Sequence, residues 1–193
     1  MNDEETKRHE IHSFYYHFPC NHFDSIFRAR TEQIIVEKNE LIHKNNKGLE
    51  KHSMHKMQVY FLSEEILTLS KMRIAYTFMQ FEIYLKKLLL VAYNENPKNL
   101  YNWEKMISFL KLKNIQLKVF SHYQDVNDIR KVNNSIKHSA DLSNKKTEDI
   151  LEFKGKLLID SDTLNKFYDR TANSPKELIW ELQKAIDKNL FST

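Results

Sequence analysis

The sequence predicts an all-α fold, on three observations. Glycine occurs twice and proline three times in 193 residues, too few for the tight hairpins, bulges and glycine turns that sheets need. Residues 49–94 hold neither breaker, and from Met57 their apolar residues return every three or four positions, the period of a helix face. Elsewhere, short amphipathic stretches follow Asn, Asp or Ser residues that suit helix N-termini.

Taken in order, residues 3–18 are polar and then aromatic, ending at Pro19. They predict a short helix whose Phe14, Tyr15 and Phe18 dock on a surface the sequence does not name. The spacing of Ile26, Phe27, Arg30, Ile34, Ile35, Leu41 and Ile42 predicts a long helix after a cap at Asn21 or Asp24, closing in residues 43–48. One or two long helices fill residues 49–94, with Ile66, Leu69, Met72, Ile74, Tyr76, Phe78, Phe81, Leu85 and Leu88 as packing positions. Residues 94–99, with Pro97 and three asparagines, predict a loop. Trp103, Met106, Ile107 and Leu110 mark a shorter helix. In the next, Asp125 and Asn127 lie near the start, Val126, Ile129, Val132 and Ile136 form the apolar face, and residues 139–144 end it. Residues 153–159 read as a small extended turn. Asp160-Ser161-Asp162 then caps a helix through Arg170, and Ser174-Pro175 opens the last one, which packs through Leu178, Trp180, Leu182 and Ile186.

Composition removes several functions. Phosphate-cradling loops need two or three glycines within a few residues, so P-loop and dinucleotide sites are excluded. The longest apolar run, residues 85–93, is broken by Lys86 and Lys87 and falls far short of the roughly 20 residues that span a bilayer; no membrane partner is expected. The acidic, polar N-terminus is unlike a signal peptide, and the single cysteine, Cys20, permits no internal disulfide. A cytoplasmic location is expected. A net charge of +4 with nine histidines allows an RNA partner without requiring one.

The chemistry-bearing stretch is Asp128-Ile129-Arg130-Lys131-Val132-Asn133-Asn134-Ser135-Ile136-Lys137-His138-Ser139. On a helix turning about 100° per residue, Arg130, Asn134 and His138 share an arc of about 80°, with Asn127 and Lys137 inside or beside it. A histidine, cations and an amide on one stripe can move a proton, clamp charge and orient a phosphodiester. The same stripe also reads as a solvated helix face.

Residues Asn133-Asn134-Ser135-Ile136-Lys137-His138 resemble the motif helix of HEPN-domain proteins, where an arginine, commonly followed by a polar residue, precedes a histidine with four to six residues between them. The order of helices is similar too: a long helix reading like residues 75–88, a shorter one, then the motif helix. The resemblance covers roughly residues 59–140. It implies a HEPN-like bundle over residues 51–193 with an N-terminal helical extension over residues 1–50. It further implies a metal-independent endoribonuclease or toxin-type effector of stress response or phage defence, working without cofactor as a homodimer with the motif helices of two protomers face to face. In such a site His138 moves protons, Arg130 stabilises phosphate charge, Asn134 is the polar neighbour, and Lys131, Asn133 and Lys137 bind RNA. An antitoxin or companion protein is a further partner of this kind.

One departure bears on activity. With His138 fixed, the family's arginine falls at positions 131–133, which hold Lys131, Val132 and Asn133; Arg130 stands one residue too far. Lys131 lacks the planar fork that suits phosphate. Either a changed helix register restores Arg130, or the chain binds without cutting, as a non-catalytic helical module for RNA or a protein partner; a plain oligomerisation scaffold is the third reading. Two further features complete the inventory. His9, His12, His17, Cys20 and His22 have donors enough for zinc but lack the paired knuckles of structural sites, and are read as surface or packing residues. Glu82 interrupts the apolar pattern of the long helix, either reaching water at its edge or supporting Arg130 or His138 from behind.

Overall fold

The computed structural model describes residues 3–19, 24–46, 52–138, 147–156 and 158–191. Helix makes up 82% of them and no strand occurs among them. Seven α-helices follow in order: α1 (Asp3–Tyr16), α2 (Asp24–Asn46), α3 (His52–Tyr93), α4 (Trp103–Leu112), α5 (Tyr123–His138), α6 (Ser161–Thr171) and α7 (Ser174–Phe191), with short 3-10 turns at Pro97–Leu100 and Leu117–Val119. The described part of residues 49–94 thus holds one long helix, α3. No helix among the described residues is long and apolar enough to cross a membrane.

Asparagine stands in for the scarce glycine at helix ends. Asn94 and Asn114 take φ of 54° and 58°, the left-handed region that Asn tolerates better than other side chains. After α4 the pattern is a full Schellman close: Ile115 N–H donates to Leu110 O at 2.9 Å and Asn114 N–H to Lys111 O at 3.0 Å. Helix starts are capped in the same economical way. Asn102 Oδ1 accepts Lys105 N–H at 2.9 Å, and Asp160 Oδ1 accepts Thr163 N–H at 2.8 Å and its hydroxyl at 2.6 Å. Those bonds hold the Asp160 carboxyl below its ordinary range.

The chain gathers into two units, each assembled from separate stretches. The first comprises residues 1–20, 76–131 and 170–193. Its core joins Phe81, Leu85, Leu88 and Leu89 of α3 to Met106 and Leu110 of α4, Val126 and Ile129 of α5, and Leu178, Leu182 and Ile186 of α7. The three- and four-residue spacing of these positions is what puts each set on one helix face. Trp103 is the aromatic hub, with Phe78 and Phe81 at 6.2 and 6.1 Å and Tyr123 stacked at 6.3 Å.

The surface that receives α1 belongs to this unit. Phe14 and Phe18 set their edges against Tyr84 of α3 at 6.2 and 5.1 Å, and Tyr15 lies 4.9 Å from Trp180 of α7. Trp180 is half-buried, and its neighbour Ile179 is the residue fully enclosed. Ile11 is buried, and its carbonyl accepts from Gln183 Nε2. Arg8 forks onto Asp187 at 2.6 and 2.9 Å, and this hydrogen-bonded pairing keeps the Asp187 carboxyl below its usual range.

The second unit comprises residues 21–75 and 132–169. Ile34 of α2, Ile66 and Ile74 of α3, Val132 of α5, and Leu164 and Phe167 of α6 form its core. Arg30 of α2 pairs with Glu65 of α3 at 2.7 Å. Residues 147–155 form successive turns and one bend; of the small extended turn expected over residues 153–159, residue 157 lies outside the described residues. The Phe153 ring lies 5.3 Å from that of Phe167, tilted by 38°, and Gly155 takes φ of 72°, a conformation that favours glycine.

Candidate functional site

Helix α5 carries the motif residues, and its start is held from α7. The backbone N–H groups of Ser121 and His122 donate to the Glu181 carboxylate at 3.2 and 3.4 Å, placing negative charge at the N-terminal end of α5, where the helix dipole favours it. Asp125 in the first turn accepts from Ser174 Oγ at 2.8 Å and pairs with Arg170. The apolar face seats Val126, Ile129 and Val132, all buried; Ile136 is only partly covered.

Arg130 points back along the helix. Its Nε and Nη2 donate to Asn127 Oδ1 at 3.2 and 3.0 Å, and its guanidinium lies 5.8 Å from the Trp103 ring centre. A neutral amide and an aromatic face orient the cation without cancelling its charge. Lys131 occupies a different face, 3.9 Å from the Asp128 carboxylate, which also accepts from Gln124 Nε2 at 2.7 Å. The two rivals for the arginine role are therefore separated around the helix.

Further along α5, Asn134 is half-buried, while Lys137 and His138 are exposed in the last turn. Asn133, expected to face RNA, is instead 1% exposed. It stands four residues after Ile129 and seven after Val126, so helical spacing carries it to the apolar face. Neither of its amide atoms has a hydrogen-bond partner among the described residues. Glu82 is half-buried and forms no ion pair among them.

α5 is regular α-helix from Tyr123 to His138, so no change of register moves Arg130 toward His138. Their Cα atoms are separated by eight residues, about 12 Å along the axis at 1.5 Å per residue, and Arg130 leans away from the histidine. The end expected for this helix, residues 139–144, lies outside the described residues.

Of the histidine cluster, His12 Nε2 lies 3.3 Å from Asp187 Oδ1; Cys20 and His22 lie outside the described residues. Among the described residues no group of three His, Cys, Asp or Glu side chains is placed to hold a metal.

Sequence reasoning missed a second polar centre. Arg73 of α3 is buried, paired with Asp24 at the start of α2, and lies 3.7 Å over the Tyr168 ring of α6. A signal for it existed: Arg73 stands seven residues after Ile66, on the same buried face, where a cation requires a partner. The chain matches no family model, no curated protein and no solved structure.

Proposed function

We propose that the chain is a non-catalytic, HEPN-like helical module that holds RNA along the outer stripe of α5 in the cytoplasm. One observation carries this reading: on an unbroken helix, Arg130 leans toward Asn127 and Trp103 while His138 lies two turns beyond it in the opposite direction. One chain thus does not set both groups on a single phosphate, as proton transfer and charge stabilisation at one reaction centre require. Binding makes no such demand. Arg130 and Lys137 form no ion pair with a carboxylate among the described residues, and Arg130 is held in place by a neutral amide. A positioned guanidinium suits phosphate oxygens well.

A second reading rests on the exposure of Lys137 and His138. If two copies meet through this face, the Arg130 of one can approach the His138 of the other, giving the metal-independent endoribonuclease or toxin-type effector of stress response or phage defence. An antitoxin or companion protein belongs to that reading. Incubating the full chain with single-stranded RNA in excess chelator separates the two. Binding without cleavage is expected, weakened several-fold by Arg130→Ala or Lys137→Ala. Chelator-resistant cleavage that is lost in His138→Ala replaces it with the ribonuclease, and absence of RNA binding removes both.

A further inference from the structure

In the second unit, helix α3 packs on one side and leaves the other open. Ile66, Ser70 and Ile74 are buried. On the far side Met57, Phe61, Glu64, Thr68, Lys71, Met72 and Ala75 share an arc of about 100°, and their spacing of three or four residues is that of a coiled-coil seam. Met57, Phe61 and Met72 stand 55%, 59% and 53% exposed. Glu64 and Thr68 are exposed too, and Lys71 and Ala75 are half-buried. Large apolar side chains in a row on an open helix face mark an interaction surface, where single scattered ones would not.

Two charges in this row point to what covers it. Glu64 and Lys71 form no hydrogen bond or ion pair among the described residues. They stand seven residues apart, about 10 Å along the axis, and only side chains three or four residues apart pair on one helix. A second α3 laid antiparallel, with a two-fold axis at Thr68, sets Glu64 of each copy beside Lys71 of the other and forms two ion pairs at once. The same register puts Phe61 against Ala75, a large side chain against a small one, with Thr68 facing its own copy at the axis. Parallel pairing would set Glu64 on Glu64, Lys71 on Lys71 and Phe61 on Phe61. Charge and size therefore both select the antiparallel arrangement.

We propose that the chain associates with a second copy of itself through this face of α3, as an antiparallel, two-fold symmetric helix pair. The inference is independent of α5 and of its RNA, and the surface differs from the α5 face through which a composite ribonuclease site would form. The strip is one helix wide, which puts its area near the lower limit for specific interfaces. A dissociation constant in the micromolar range is expected.

The test is sedimentation equilibrium of the full chain from about 1 to 500 µM, with far-UV circular dichroism checking that each variant keeps its helix content. A monomer–dimer equilibrium is expected. Glu64→Lys and Lys71→Glu each replace two attractions by two repulsions and should weaken the dimer about tenfold. Combining them exchanges the charges and should restore the affinity to within about threefold. Neither a parallel pair nor a surface for some other protein gives that pattern. Lys137→Glu on α5 should leave the dimer intact. The proposal is overturned if the chain stays monomeric at about 500 µM, if dimerisation ignores both charge reversals, if the double variant is as weak as the single ones, or if Lys137→Glu abolishes the dimer.

Discussion

Asp160 shows how much one side chain contributes at a helix start. Its carboxylate accepts both the backbone N–H and the hydroxyl of Thr163, and those two bonds lower its pKa below the ordinary carboxylate value. A depressed folded-state pKa means that the cap's charge-dependent stability is full above the unfolded pKa and is lost as pH falls through the folded one. Asp160→Ala is therefore expected to cost about 1 kcal/mol near neutral pH, and chemical denaturation should show the loss shrinking only below the usual carboxylate range. Asp160→Asn keeps an acceptor and should cost less, with that acid dependence removed. An Asp160→Ala penalty that stays constant as the carboxylate titrates would mean the charged acceptor contributes nothing beyond shape.

At the scale of the element, α5 shows what a sequence reveals and what it hides. Its amphipathic period, its place after α4 and the shared arc of Arg130, Asn134 and His138 were all legible, because helical spacing alone determines them. The direction of the Arg130 side chain was not, since that depends on Asn127 three residues back and on Trp103, brought close only by folding. Helix boundaries followed the same division: Asp160 was legible as part of a cap, whereas the left-handed turns at Asn94 and Asn114 occur at asparagines that could equally have stayed extended. The Asp24–Arg73–Tyr168 centre joins three helices far apart in sequence, and periodicity marks only Arg73 as misplaced. Asn133 makes the clearest test on α5. A buried amide with neither atom hydrogen-bonded costs about 1–3 kcal/mol, so Asn133→Leu, similar in size, should raise stability by about 1 kcal/mol or more on that same ground. Denaturant midpoints measure this directly, and a large loss would show that the amide is satisfied or functionally engaged.

Across the whole molecule, the question is whether RNA would be held by the α5 stripe or by general surface charge. The chain carries 30 Lys and Arg against 26 Asp and Glu, so diffuse attraction is weak, and many of its cations are already committed: Arg8 to Asp187, Arg28 and Arg73 to Asp24, Arg30 to Glu65, Arg170 to Asp125. On α5, Lys131 is committed to Asp128, while Arg130 and Lys137 keep their charge. Each phosphate neutralised on a single strand contributes about −0.7 to the slope of log affinity against log salt. Two contacts from the stripe therefore predict a slope of about −1.4. The same titration on Arg130→Ala should flatten the slope by about 0.7, since one phosphate contact is gone, and Lys131→Ala should change it little. A slope several units steeper, insensitive to both substitutions, would place the RNA on other surfaces and detach the binding reading from α5.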